Sequence, residues 1–170
     1  EPQLQLRLPT ERYYEEEGRA ELTPRDFGIL MHRVFENAAT TDEIYTAIEA
    51  MTQDGVLDEK EAPHLQELVE KALADPVTAE WFGGRWQVVR NENEIILPGS
   101  GTTRRPDRVM TDGERAVVVD YKFGDRETAR HRKQIREYLR LLRQMGYTRT
   151  EGYLWYVRLG RTERVEEKED

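Results

Sequence analysis

Apolar residues recur at helical spacing through the first half of the chain. A first helix is predicted after Thr23-Pro24 by five positions on one helical face: Phe27, Leu30, Met31, Val34 and Phe35. Comparable stripes predict three more helices: one after Thr41, one from about Asp58 to Ala74, and a short one opened by Asp75-Pro76. Pro63 is an alternative start for the third of these four helices, because proline disrupts a helix interior. Residues 1–22 show no sustained period and are expected to be a partly ordered lead-in to this helical part, residues 23–84.

After residue 85 the apolar positions follow the spacing of strands. Four strands are predicted, at residues 86–89, 94–97, 108–110 and 115–123, with a hairpin turn at residues 111–114. A long helix from about Glu127 to Met145 and a strand over residues 151–159 follow, and the charged tail from Arg161 is expected to fray. This order predicts an α/β fold in a single domain over residues 1–170: a mixed central β-sheet flanked by helices, with a helical N-terminal part.

The composition excludes several classes of protein. The absence of cysteine rules out disulfides, zinc–thiolate sites and iron–sulfur clusters, and it is compatible with a reducing cytoplasm. No apolar run approaches the ~20 residues that span a membrane, so no membrane partner is expected. A net charge of −8 argues against a stand-alone nucleic-acid binder of high affinity, because such binding depends on neutralising phosphates. The chain begins with Glu1 rather than Met, which we interpret as a segment of a longer protein.

The stretch RAVVVDYKFGD, residues 115–125, carries the clearest chemical signal. Its run of valines indicates a central, buried strand, and this strand ends in Asp120 and Lys122 with one residue between them. Residues two apart in a strand point to the same face, so the two charged side chains are expected to project together. One interpretation is a salt bridge at a strand terminus, and the other is an active site at the end of a buried strand.

A second acid is expected beside this strand end. Pairing the strands about the turn at residues 111–114 places Asp107 opposite residues 118–120, and therefore next to Asp120. Two bare carboxylates about 4 Å apart would repel each other by roughly 4 kcal/mol at an effective dielectric constant of 20. A divalent cation removes this penalty, and oxygen ligands favour Mg²⁺ or Mn²⁺ over zinc.

These features resemble a known family of nucleases. PDRV, residues 106–109, followed after the hairpin by VVVDYKFGD, is similar to the GxxD…DYKTG core of the RecB-type branch of the PD-(D/E)XK nucleases. GILMHRVFE, residues 28–36, resembles the GxxxH helix before that core, and QIREY, residues 134–138, resembles the Gln-x-x-x-Tyr pattern on the helix after it. The resemblance covers about residues 20–158 and is strongest to the C-terminal nuclease domain of bacterial UvrD/RecB/AddA-like helicase–nucleases. It implies a restriction-endonuclease-like core.

The resemblance also implies a metal centre. Asp107 and Asp120 would bind the metal through their carboxylates, and the backbone carbonyl of Tyr121 would add a ligand. His32 would reach the same ion from the first helix, whereas an isolated histidine on the shoulder of an apolar stripe is usually packed or solvated. Pro106 is expected to interrupt the strand before Asp107, because proline cannot donate to a sheet ladder.

Further residues acquire roles from the same resemblance. Lys122 would hold or activate the attacking water and counter charge in the transition state. Glu94 is expected to be the acid that often precedes the core, with Glu92 as the alternative. Gln134 and Tyr138 would shape the site and position the DNA backbone, although Tyr138 could equally be plain core.

The activity implied is metal-dependent hydrolysis of DNA phosphodiester bonds during DNA repair or recombination. Helicase domains of the same polypeptide or of a partner subunit would deliver single strands, which explains how an acidic domain can cut an acidic polymer. One alternative is a catalytically inactive nuclease-fold module that braces a helicase complex. Another is a different magnesium-dependent phosphohydrolase acting on small molecules.

Overall fold

A computed structural model describes residues 13–14, 20–21, 24–92, 95, 105–123 and 129–168. A two-stranded ribbon and four helices form its N-terminal part: β1 (Tyr13–Tyr14), β2 (Ala20–Glu21), α1 (Pro24–Phe35), α2 (Thr41–Gln53), α3 (Ala62–Ala72) and α4 (Pro76–Trp81). Side-chain caps begin two of the helices, because Thr40 accepts a hydrogen bond from the N–H of Glu43 and Asp75 accepts one from the N–H of Val77. The predicted first, second and fourth helices are confirmed, while Thr23 lies outside the described residues.

The third helix is shorter than predicted. It begins at Ala62 rather than about Asp58, and it ends at Ala72 rather than Ala74. Pro63 lies in its first turn, where the missing N–H of proline costs nothing because those amides have no partner inside a helix. The proline therefore determines where this helix begins, and the residues before it form turns.

The second half of the chain forms a five-stranded mixed sheet with one long helix. Its elements are β3 (Val88–Asn91), β4 (Arg108–Asp112), β5 (Arg115–Lys122), α5 (Ala129–Gln144), β6 (Arg149–Tyr156) and β7 (Arg161–Val165). The strand order is β3-β4-β5-β6-β7, and only the β5–β6 pairing is parallel, with α5 as the crossover between these two strands. The predicted fold class, a mixed sheet flanked by helices, is confirmed.

Three predictions about the strands need correction. The strand predicted at residues 151–159 begins and ends earlier, at Arg149–Tyr156. The first predicted strand, residues 86–89, lies two residues later at Val88–Asn91. The prediction of a fraying tail from Arg161 is wrong, because β7 pairs with β6 after a tight turn that ends at Gly160, with φ of 60°. Arg132 of α5 forms an ion pair with Glu163 of β7, so this charge of the edge strand has a partner within the fold. Of the strand predicted at residues 94–97, only Ile95 is described, and it is not in a strand.

The sheet separates two hydrophobic cores, and the alternation along β5 assigns its side chains to them. Val117, Val119 and Tyr121 pack against the N-terminal helices. Ala116 and Val118 pack against α5 on the opposite face. Because neighbouring residues of a strand point to opposite faces, Asp120 and Lys122 lie on the α5 face at the carboxyl end of β5. None of the helices in the described part of the chain combines the length and the apolar character that a membrane span requires.

Candidate active site

The carboxylates of Asp107 and Asp120 lie side by side where β4 begins and β5 ends. The β4–β5 register pairs Asp112 with Arg115 and Arg108 with Val119, so the next pair along is Asp107 with Asp120. Backbone amides hold both carboxylates: the N–H of Tyr121 donates to Asp107 Oδ2 (2.7 Å), and the N–H of Asp107 donates to Asp120 Oδ1 (3.0 Å).

This register agrees with the one predicted from the hairpin turn, and it also explains the effect of Pro106. The ladder of β4 starts only at Arg108, two residues after the proline, as expected for a residue that lacks an N–H. Asp107 therefore lies just outside the ladder, where its amide is available to the Asp120 carboxylate. Because the ladder stops at Arg108, Asp107 and Asp120 are joined by a hydrogen bond from a backbone amide to a carboxylate rather than by ladder hydrogen bonds.

Lys122 lies on the same face as Asp120 and close to it. The Lys122 Nζ is 4.0 Å from Asp120 Oδ2, and the two side chains are 14% and 7% exposed. The strand alternation predicted that these side chains project together, and the structure confirms it. One oxygen of Asp120 thus faces a backbone amide, and the other faces an ammonium group.

His32 reaches this strand end from α1, on the other side of the sheet. Its Nε2 is 3.5 Å from Asp107 Oδ1, and its ring packs against Phe123 with 5.3 Å between ring centroids. Gly28, one turn earlier, makes this approach possible, because a Cβ at that position would lie 3.3 Å from the Cβ of Phe123. The imidazole side chain remains 40% exposed.

Three side chains converge on a point that could hold a cation. One ligand atom each from His32, Glu92 and Asp107 lies within 4.8 Å of the others. A nitrogen and two carboxylate oxygens form a donor set that suits Mn²⁺ and, less ideally, Mg²⁺. Asp120, which was expected among the ligands, is adjacent through Asp107 but is not a member of this group.

Glu92 enters the group because it immediately follows β3, which pairs with β4 beside Asp107. Glu94, the acid that was preferred from the sequence, lies outside the described residues. β3 ends at Asn91, so Glu92 is the first residue beyond this strand end. Glu92 was already the alternative acid predicted from the sequence.

The backbone carbonyl of Tyr121 points toward the same corner. The carbonyl of Lys122 accepts from the N–H of Val157, so Lys122 directs its backbone groups toward β6. The preceding residue of a strand directs its N–H and C=O to the opposite side, and the N–H of Tyr121 indeed meets Asp107. The Tyr121 carbonyl is therefore on the Asp107 side, as a ligand role would require.

The residues expected on the following helix lie on α5, over the face that carries Asp120. Tyr138 is buried within the core between α5 and the sheet. The side-chain oxygen of Gln134 is enclosed by protein with no hydrogen-bond partner among the described residues. Of the basic side chains nearby, Arg132 is bound to Glu163 and Arg136 donates to the Glu166 carbonyl (3.3 Å), whereas Arg130 and Lys133 are exposed.

The electrostatics of the site favour the binding of a cation. Burial, followed by the nearby Asp120 carboxylate, raises the pKa of Asp107 to about 8, although the Tyr121 amide and Lys122 oppose this rise. Burial lowers the pKa of His32, against the opposing effect of nearby carboxylates. At neutral pH the site thus contains an uncharged imidazole next to a carboxyl group that retains its proton. A divalent cation would displace that proton and stabilise both carboxylates.

The metal-free protein is therefore expected to lose stability as the pH rises from about 4 to 8. The folded chain holds a proton on Asp107 in this window, whereas the unfolded chain releases it near the ordinary aspartate pKa. The free energy of unfolding falls by at most about 1.4 kcal/mol per pH unit from one such group. Urea denaturation in EDTA at several pH values measures this free energy. Asp107→Asn is the control, and it should make the free energy of unfolding less dependent on pH. Equal pH dependence in both proteins would contradict the assignment.

Comparison with known proteins agrees with this geometry. The family model described as the PD-(D/E)XK nuclease superfamily matches residues 3–170, which include every element of the site. A comparison with curated proteins found no match.

Proposed function

The chain belongs to the PD-(D/E)XK nuclease superfamily, and from this premise we propose that it hydrolyses DNA phosphodiester bonds with Mg²⁺ or Mn²⁺. The observation that carries the proposal is the meeting of Asp107, Asp120 and Lys122 at one strand end, with the imidazole of His32 3.5 Å from Asp107. A structural salt bridge would need only one acid and one base. The second buried acid and the histidine are accounted for by a bound cation.

The residues present fit a divalent cation. His32, Glu92 and Asp107 would hold it, with Asp120 and the Tyr121 carbonyl beside them. When bound, such an ion polarises a phosphate oxygen and lowers the pKa of a coordinated water. The hydrogen bond from the Tyr121 amide fixes one oxygen of Asp107, so the carboxylate is oriented before any ion arrives.

Lys122 supplies the fixed positive charge of the site. Asp120 holds its ammonium group near the two carboxylates, and the low exposure of both side chains keeps competing water away. An ammonium group in this position can donate hydrogen bonds to an attacking water and can stabilise negative charge that develops on the phosphorane. Asp120 thereby orients Lys122 while its other oxygen is held by the backbone.

Single strands delivered by helicase domains are the substrate that best fits the chain. The support is the resemblance of its four motifs to RecB-type domains, together with the net charge of −8, which disfavours independent capture of DNA. Such a nuclease would act in DNA repair or recombination. Asp107 and Asp120 would contribute to cation binding and catalysis, and the helicase would raise the local concentration of single-stranded DNA at the site.

Incubation of the chain with end-labelled single-stranded DNA in Mg²⁺, Mn²⁺ or EDTA tests the proposal. Cleavage is expected with either metal and should be absent in EDTA, with single strands cut faster than duplex. Asp107→Asn, purified identically, excludes a contaminating nuclease and should be inactive. No cleavage by a chain that still binds a helicase partner would favour the inactive module. Hydrolysis of small phosphodiesters but not of DNA would favour the phosphohydrolase.

A further inference from the structure

Arg108 lies at the centre of the helix–sheet junction, and its side chain is completely buried at 0% exposure. Its Nη1 donates to the carbonyl of Ala38 (2.6 Å) and, at 3.4 Å, to the side-chain oxygen of Asn91. Its Nη2 donates to the carbonyls of Ala39 (2.7 Å) and Trp81 (2.8 Å). A single guanidinium therefore binds three separate segments of the chain.

Among the described residues no carboxylate forms a direct ion pair with this buried cation, although the nearby Glu43 carboxylate favours its charged form. One of the carbonyls that it binds belongs to Trp81, the last residue of α4, where the helix dipole places partial negative charge, and the others belong to the connection between α1 and α2. The guanidinium carbon also lies 4.0 Å from the ring centroid of Phe82. A buried charge is seldom the most stabilising choice at a core position, since apolar residues of similar volume often serve as well or better. Arg108 is better explained by the positions that it imposes on the segments it binds.

Two of the three segments bound to Arg108 carry candidate ligands, and the third ligand is the neighbour of Arg108 itself; the remaining segment, at Trp81, carries none. Arg108 directly follows Asp107, and Asn91 directly precedes Glu92. Ala38 and Ala39 belong to the turn that ends α1, the helix of His32, and the N–H of Ala38 bonds back to the Phe35 carbonyl (3.1 Å). We infer that Arg108 is a positioning residue that sets the separation of His32, Glu92 and Asp107 for one divalent cation, an inference that rests on the proposed function.

A lysine could not make the same set of contacts. The guanidinium directs its donors in a planar fork toward four acceptors, whereas an ammonium group has three donors on a flexible stem. Arg108→Lys keeps the charge and much of the volume, but it should release at least one of the three segments. The ligand groups would then spend less time at the spacing that one ion requires.

The test is the affinity for Mn²⁺ of folded protein, measured from the paramagnetic resonance signal of the free ion. Arg108→Lys is expected to raise the Kd for Mn²⁺ by about tenfold or more, the usual effect of residues that orient metal ligands. The matched control is Arg115→Lys. Arg115 is a partly buried arginine of the adjacent strand that binds Glu80 and Glu151 (2.6 Å each) away from the candidate ligands. This control should lose stability to urea while its Kd for Mn²⁺ stays unchanged.

A second variant keeps the inference testable if Arg108→Lys does not fold. Asn91→Ala removes the side-chain oxygen that Arg108 contacts beside Glu92, and it is expected to raise the Kd severalfold, with DNA cleavage recovering at saturating Mn²⁺. If Arg108→Lys and Asn91→Ala, or whichever of the two folds, bind Mn²⁺ as tightly as the wild type, the positioning role is wrong while the proposed function stands. A wild-type chain that binds no Mn²⁺ overturns the proposed function, and the positioning role falls with it.

Discussion

Lys122→Met is expected to lower the rate of DNA cleavage by at least about 1,000-fold, within the range found when a group that stabilises transition-state charge is removed. The side chain is 14% exposed and lies at the end of β5, so methionine can occupy the same space without a cavity. Metal binding should persist or strengthen slightly, since the variant removes a positive charge 4.0 Å from Asp120. The effect should therefore be on kcat rather than on the affinity for the metal.

The measurement is single-turnover cleavage of labelled single-stranded DNA at saturating Mn²⁺. Lys71→Met is the matched control, because Lys71 is an exposed lysine of α3 that forms an ion pair with Glu67 (3.2 Å). The control should cleave at the wild-type rate. If Lys122→Met also cleaves at that rate, the lysine has a structural role, and the chemistry assigned to this strand end is wrong.

Glu92→Gln is expected to weaken Mn²⁺ binding by about 100-fold, since removal of a charged ligand should exceed the effect of disturbing its orientation. The amide keeps the size of the side chain but loses the charge that the ion requires. Glu92 is exposed and follows β3, so the fold should be unaffected. Titration calorimetry with Mn²⁺ measures the change, and Glu49→Gln, on the exposed side of α2, is the control with the same chemistry.

The same experiment decides between the two candidate upstream acids. Glu94→Gln should retain more of the affinity for Mn²⁺ than Glu92→Gln, because Glu92 contributes to the group with His32 and Asp107. The reverse order would identify Glu94 as the upstream acid. It would also show that this group of three side chains is not where the ion binds.

The features that depend on neighbouring residues could be predicted from the sequence. The turn at residues 111–114 is local, so it determined the β4–β5 register and placed Asp107 next to Asp120. Strand alternation, also local, placed Asp120 and Lys122 on one face. Pro63, also a local feature, indicated the later start of α3 as an alternative. The edge strand β7 was missed because its many charged residues outweighed the short turn that precedes it.

The features that join distant segments required the tertiary structure. The sequence alone determined that a helix carries His32 and that a hairpin carries the two acids, but not that Nε2 of His32 would lie 3.5 Å from Asp107. That distance depends on the packing of α1 over the strand end, which Gly28 permits against Phe123. Arg108 gave no signal at all, because an arginine at a strand start usually reaches solvent. Only the convergence of four acceptors from three segments makes it a buried residue, and such convergence exists only once the chain has folded.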